Sequence, residues 1–154
     1  MKRLFFKSLY YFYIRLIGLV KPISIGVRVL LVQDERVLMV RHVYQDEWFL
    51  VGGSVKRGET LEEAARREAM EEAGATLGDL TLFGIYTNFI HLRNDHITVF
   101  LCEDFTYSGA HDLEIDAVEL FPLNDLPEAI SPGIRHRLDD YIAGKEPKGG
   151  FGLW

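Results

Sequence analysis

Three glutamates, Glu68, Glu71 and Glu72, crowd the end of a stretch with strong helix signals. Thr60 and Glu63 have the spacing of a capping box, in which the threonine caps the helix start and the glutamate reaches back to it. Gly74 stands where a left-handed glycine stops a helix. The spacing predicts a helix over residues 61–73. At about 100° per residue the three carboxylates fall within an arc of about 100°. Like charges placed this way cost roughly 0.2–0.5 kcal/mol a pair. They also sit at the end of the helix where the macrodipole disfavours acids. Stability alone gives no reason for such a cluster. A divalent cation turns the repulsion into attraction, and carboxylate oxygens suit Mg²⁺ or Mn²⁺. Leu61, Ala64 and Ala65 share the arc, and the two alanines leave room for a hydrated ion. Arg67 falls toward the other side, where it can pair with Glu59 and hold the preceding loop.

These residues belong to a longer pattern. Gly53, Glu59, Arg67, Glu68, Glu71, Glu72 and Gly74 fit, in residue type and spacing, the signature known as the Nudix box. Seven fixed positions, each filled by chance at roughly 6%, coincide on the order of once in 10⁸ to 10⁹ starts. The segment therefore resembles the Nudix hydrolases specifically, over about residues 23–143. The resemblance implies an α/β fold, a mixed β-sheet sandwiched between helices, with the box as loop, helix and loop. It implies that the residues matching Glu68 and Glu72, and often Glu71, bind metal with the backbone carbonyl of Gly53. It also implies that Arg67 orients a glutamate. The expected reaction is Mg²⁺-dependent hydrolysis of the diphosphate link in a nucleoside diphosphate derivative, an NDP-sugar or a (d)NTP. The products are a nucleoside monophosphate and a phosphorylated remainder. Mn²⁺ is the alternative ion.

Such a hydrolysis needs a general base. Family members place it either in the helix, here Glu71 or Glu72, or in a later loop. Glu114, just before the run IDAVELFPL, resembles the loop glutamate; Asp116 and Glu119 are weaker candidates. Arg28, Arg41, Trp48 and Asn88 are candidate substrate contacts, with His42, Tyr44, Phe49 and His91 behind them. Arg28 and Arg41 alternate with apolar residues and are expected to face away from the core. Trp48 could stack on a base, although a core role is the commoner fate of such a ring. The histidines lack metal-ligand spacing.

The sequence departs from the family pattern at Val51, where many members have proline. The proline of ADP-ribose hydrolases and the tyrosine of dinucleoside polyphosphate hydrolases are both missing beyond the box. The marks of NADH and coenzyme A hydrolases are absent too. Those substrates are disfavoured accordingly.

The elements that must position the box read as strands and helices. IGVRVLLVQ and VLMVRHV, joined at Asp34-Glu35, form a hairpin pattern. WFLVGG is a short apolar run, and TLFGIYTNFI and ITVFLCEDF are strands expected to turn around Asn94-Asp95. EIDAVELFPL is a further strand. Ser131-Pro132 predicts a helix start, N-cap then first turn, with Gly144 ending the helix after Ala143. The tail, residues 146–154, is rich in glycine and expected to be loosely held, with Phe151 and Trp154 able to dock.

The 154 residues suit one domain with a sizeable core. With 48% hydrophobic and 26% charged residues, the composition is that of a soluble globular protein. A single cysteine, Cys102, excludes an internal disulfide and fits a reducing cytoplasm. The net charge of −6 is uneven. Residues 1–21 hold five bases and no acid, leaving −11 on residues 22–154. An acidic body argues against nucleic acid as a partner. The first 21 residues read as an added amphipathic helix with Arg3, Lys7, Tyr11 and Arg15 on one stripe. That helix packs on the domain 22–145 or on a dimer partner, or anchors the chain at the inner face of an anionic membrane. Its charges interrupt any membrane span.

Two functional classes stand beside the nucleotide hydrolase. A non-catalytic nucleotide-binding module would keep the fold, but such domains usually lose box carboxylates, and this chain keeps them. A membrane-surface hydrolase of a lipid-linked diphosphate is the other.

Overall fold

The computed structural model describes Phe12 and residues 23–90, 93–109, 112–145 and 148–154. The amphipathic helix expected over residues 1–21 and the candidate His91 lie outside these.

Continuous apolar runs, buried on both faces, build the centre. Strand β1 (Ile23–Gln33) turns at Asp34 and Glu35 into β2 (Arg36–His42). Both turn residues have positive φ, 52° and 57°, which matches a two-residue turn to the twist of the hairpin. Beyond this lie β3 (Trp48–Phe49), α1 (Leu61–Ala73), β4 (Thr76–Leu77), β5 (Thr81–Ile90), β6 (Arg93–Cys102), β7 (Phe105–Thr106), β8 (Ile115–Pro122), α2 (Pro132–Ile142) and β9 (Phe151–Leu153). The main sheet runs β3-β2-β1-β6-β5-β9, with β8 pairing the other side of β2. It is mixed: β1 lies parallel to β6 and β9 parallel to β5, and the other pairs are antiparallel. β4 and β7 form a separate small ribbon.

Alternate residues of the central strands feed two cores. Val27, Val29 and Leu31 of β1 join Leu38 and Val40 of β2 against Ala64, Ala65, Ala69 and Ala73 of α1. Leu30, Val32, Val37 and Met39 point the other way, into a cluster with Ile134 and Leu138 of α2. Each helix thus covers one face, giving the expected α/β/α sandwich. Burying a side chain of valine or leucine size contributes about 1.5–3 kcal/mol, so the central hairpin is the most firmly held part of the chain. The alanine stripe lets α1 lie close to β1, which carries the carboxylates toward the sheet.

Three expectations change. Asn94 and Asp95 are paired with Phe89 and Asn88 inside the ladder, not in a turn, because β5 and β6 extend further than their apolar runs. Pro132 opens α2, but the Ser131 side chain makes no capping hydrogen bond. The end of the tail is docked: Phe151–Leu153 adds a strand to β5, and Trp154 packs edge-on to Tyr86 with centroids 6.0 Å apart. Gly133 makes this possible, since a Cβ there would collide with the Trp154 indole.

Candidate active site

Helix α1 starts and stops as its sequence predicts. Thr60 Oγ1 accepts from Glu63 N, the Glu63 carboxylate accepts from Thr60 N, and Gly74 is left-handed at φ 58°. Fixed at both ends, the helix presents its acidic last turns to residues 50–55, which run beside β1. Val29 N donates to Val51 O, Val27 N to Gly53 O and Val55 N to Ile25 O. The two glycines are needed there for different reasons. Gly52 has φ 140°, and a Cβ on it would collide with the Val27 carbonyl of β1. A Cβ on Gly53 would meet the Glu68 carboxylate at 2.6–2.8 Å.

Glu72 is the buried carboxylate of the site, 7% exposed. Its Oε2 accepts from Gly52 N at 2.9 Å, and its Oε1 faces His42 Nε2 at 3.7 Å. Burial pushes its pKa up to about 8, against the opposing pull of Arg28 and the Gly52 hydrogen bond. Burial also drives His42 down to about 4, helped by Arg28 and partly offset by Asp112.

Arg67 organises the box. Nε and Nη2 donate to the two oxygens of Glu59 at 2.6 and 2.9 Å. Nη1 donates to Glu68 Oε1 at 2.7 Å and Glu71 Oε2 at 3.0 Å, while Nη2 also reaches Ser54 O at 3.1 Å. These bonds raise the Arg67 pKa above its ordinary value. With the Lys56 backbone N–H they lower the Glu59 pKa to about 2. The predicted Arg67–Glu59 pair is therefore present, and the same guanidinium holds two further glutamates.

A cleft of about 280 Å³ brings Glu68, Glu72, Gly52 and Gly53 together with Arg28, His42 and Tyr44 of the β1–β2 side. Asp112 and Glu114, ahead of β8, close it. Tyr44 Oη donates to Glu114 Oε2 at 3.2 Å. Arg28 faces into this cleft rather than to bulk solvent. It donates to Leu50 O and Gly52 O and lies 5.9 Å from the Phe49 ring centroid.

The other predicted residues lie elsewhere. Arg41 forms a two-pronged bond with Asp116, at 3.0 and 2.8 Å, and stacks on Trp48 at 5.0 Å. Trp48 is 7% exposed and meets Phe121 edge-on, so its ring is a core element rather than an open stacking surface. Asn88 pairs with Asp95 in the β5–β6 ladder. Glu119 pairs with Met39 in the β2–β8 ladder. None of these lines the cleft. Glu71 sits at its margin, 43% exposed, between Arg67 and Lys56, whose Nζ is 3.6 Å away. Sequence reasoning missed Asp112 and placed His42 and Tyr44, which both line the cleft, only among the secondary substrate contacts. A period-two count from Val40, which packs toward α1, puts His42 on the same face.

The donor set fits a hard divalent ion. Glu68 and Glu72 offer carboxylate oxygens to one cleft, and the Gly53 carbonyl keeps a second lone pair beyond its bond to Val27. Among the described residues no three acidic, histidine or cysteine groups converge into a ready-made cage. Arg67 supplies the positive charge among Glu59, Glu68 and Glu71.

Comparison with known proteins decides the family, because the NUDIX domain pattern matches residues 22–141. The chain belongs to the Nudix hydrolases. It is 27% identical over 119 residues, 73% of this chain and 75% of the relative, to the uncharacterized Nudix hydrolase YvcI of Bacillus subtilis (strain 168). Over 59 residues, 36% of this chain and 38% of the relative, it is 46% identical to the oxidized purine nucleoside triphosphate hydrolase of Danio rerio. In structure it is similar to the MutT Nudix hydrolase of Burkholderia pseudomallei, with a TM-score of 0.69 and 26% identity over 76% of this chain and 96% of that one. Membership makes this Nudix chain a pyrophosphohydrolase, an enzyme that cleaves diphosphate linkages in nucleotide substrates. Nudix hydrolases generally work with a divalent metal. Among the described residues no helix is long and apolar enough to cross a membrane.

Proposed function

We propose that this Nudix hydrolase performs Mg²⁺-dependent hydrolysis of a nucleoside diphosphate derivative, either a (d)NTP or an NDP-sugar. The products are a nucleoside monophosphate and a phosphorylated remainder. The observation that carries the reading is the meeting of Glu68, Glu72 and Gly53 with Glu114 in one cleft, from segments far apart in sequence. Mg²⁺, or Mn²⁺ in its place, fits the oxygen donors of Gly53, Glu68 and Glu72, with Glu71 at the margin. When bound, such an ion neutralises diphosphate charge and lowers the pKa of water.

The chain's own residues supply the rest. Arg67 fixes the carboxylates of Glu68 and Glu71 and ties the loop to the helix through Glu59. Arg28 places positive charge in the cleft wall for an anionic substrate. Glu114 takes the proton of the attacking water as the new P–O bond forms and the bridging P–O bond breaks. The catalytic unit on this reading is residues 22–145. The match to the Danio rerio triphosphate hydrolase makes nucleoside triphosphates the first substrates to test.

The test is a panel of (d)NTPs, NDP-sugars, ADP-ribose and dinucleotides with Mg²⁺, each product identified. Release of a nucleoside monophosphate from one class supports the reading and names the substrate. Silence across the panel, or release of inorganic phosphate from a triphosphate, contradicts it.

A further inference from the structure

Six exposed apolar side chains share one face of the sheet. Across the ladders Ile23 stands opposite Asn94, and Asn94 opposite Phe89. The next row on that face is Ile25, His96, Thr87 and Leu153. The row after it runs from Val27 through Thr98 and Ile85 to Phe151. Leu82 lies beyond, opposite Phe100. Side chains opposed across a ladder point the same way. Val27 packs against α1, so this is the α1 side of the sheet. No residue of β5 or β9 joins the core beneath that helix. Ile23, Ile25, Leu82, Phe89, Phe151 and Leu153 are accordingly 52–71% exposed. Six side chains of this size present on the order of several hundred Å² of apolar surface, enough to mark a surface that something else covers.

The chain itself supplies a cover. Of the seventeen residues 4–20, thirteen are aliphatic or aromatic and none is acidic. Phe12, the one described among them, is 68% exposed, so its ring is uncovered too. The segment leads into β1 at Ile23, on the margin of this same face. At about 4.8 Å between strands the face is about 14 Å wide from β1 to β9. Seventeen residues span that width even at the helical rise, which gives about 25 Å. A tether at the margin sets an effective concentration on the order of millimolar, above that of a second copy in dilute solution. The rows contain no lysine, arginine, aspartate or glutamate. They therefore lack the basic groups that an anionic bilayer attracts.

We propose that residues 4–20 dock through their apolar side chains on the α1-side face of β1, β6, β5 and β9 in the same chain. Docking turns the six exposed side chains into a third, smaller core. Lys7 and Arg15 reach water from it along their aliphatic stems.

The test is site-specific photo-cross-linking in the full-length protein. Phe89→p-benzoylphenylalanine puts the reactive ring on the face in place of an exposed one. The same replacement at Leu153 gives a second probe there, so that a local loss of fold at one position leaves the other. Leu113, exposed but ahead of β8 and outside the rows, is the control position. From positions 89 and 153 the expected products are single chains joined internally to residues 4–20. Their yield is expected to be independent of protein concentration and about tenfold or more above that from position 113. Equal yields from all three positions, or cross-links that miss residues 4–20, would overturn the inference. So would products that join two chains, or transfer of the cross-links to lipid when phosphatidylglycerol vesicles are added.

Discussion

The Glu68 carboxylate rests against Gly53 where a side chain would otherwise begin, at 2.6–2.8 Å from an added Cβ. The contact fits the loop to the helix and places a backbone carbonyl beside a carboxylate. Because the obstructing atoms belong to a side chain, Gly53→Ala is expected to fold and to lose activity by about tenfold or more as Glu68 is displaced. Gly52→Ala behaves differently, since its Cβ would strike the β1 backbone at φ 140°. It is expected to lower the melting temperature sharply. Activity and melting curves of the two variants check this, and similar behaviour of both would contradict it.

Arg67 makes its five bonds with three nitrogens in one plane. A lysine has the charge but not the fork. Arg67→Lys is therefore expected to lower kcat about tenfold or more, with both Glu59 and Glu68 losing their fixed orientation. A variant with unchanged kcat would show that charge alone suffices.

Burial of Glu72 sets a pH dependence in the metal-free protein. Its folded pKa is about 8 against 4.5 for the ordinary group, so the unfolded chain is the stronger acid. Stability is unaffected below about pH 4.5, falls as pH rises toward 8, and carries the full penalty above it. His42, depressed to about 4, acts in the opposite sense: its contribution is present above its ordinary value of 6.5 and is lost as pH falls toward 4. Between 6.5 and 8 only the Glu72 effect remains of the two, with a slope of at most about 1.4 kcal/mol per pH unit. With a chelator present, Glu72→Gln is expected to gain stability over the natural protein across this window, by about 1–2 kcal/mol at its upper end. Urea midpoints at pH 6.5 and 8 measure it; parallel shifts of the two proteins would contradict the assignment.

Glu35 occupies the left-handed region at φ 57°, where a side chain is unfavourable and glycine is not. Glu35→Gly is expected to stabilise the hairpin by about 0.5–1 kcal/mol without changing activity, since the turn lies at the end of the hairpin away from the cleft. A fall in the urea midpoint would mean that Glu35 makes compensating contacts.

Much of this arrangement is legible in the sequence because it is local. The capping box, the glycine stop and the arc of glutamates are all set within one helix, whose geometry fixes their relation. The Arg67–Glu59 pair follows from the same short stretch. The hairpin turn is legible too, because two apolar runs, Val29–Val32 and Val37–Val40, flank the polar stretch Gln33–Arg36. What depends on tertiary register is not. Arg28 and Arg41 look alike as charges within strands, yet one lines the cleft and the other is tied to Asp116 beside Trp48. His42 and Asp112 join the site only when β2, α1 and the segment before β8 come together. The tail reads as a glycine-rich end because its docking depends on Gly133 and Tyr86, which local spacing cannot connect to Trp154.

The most direct test of the central claim compares initial rates of nucleoside monophosphate release, as a function of Mg²⁺, for the natural protein and Glu72→Gln on the same substrate. The account predicts a rate that rises and saturates with Mg²⁺ in the natural protein and stays about 100-fold lower or more in the variant at any Mg²⁺ concentration. Equal rates for the two proteins, or turnover that persists undiminished in a chelator, would contradict it.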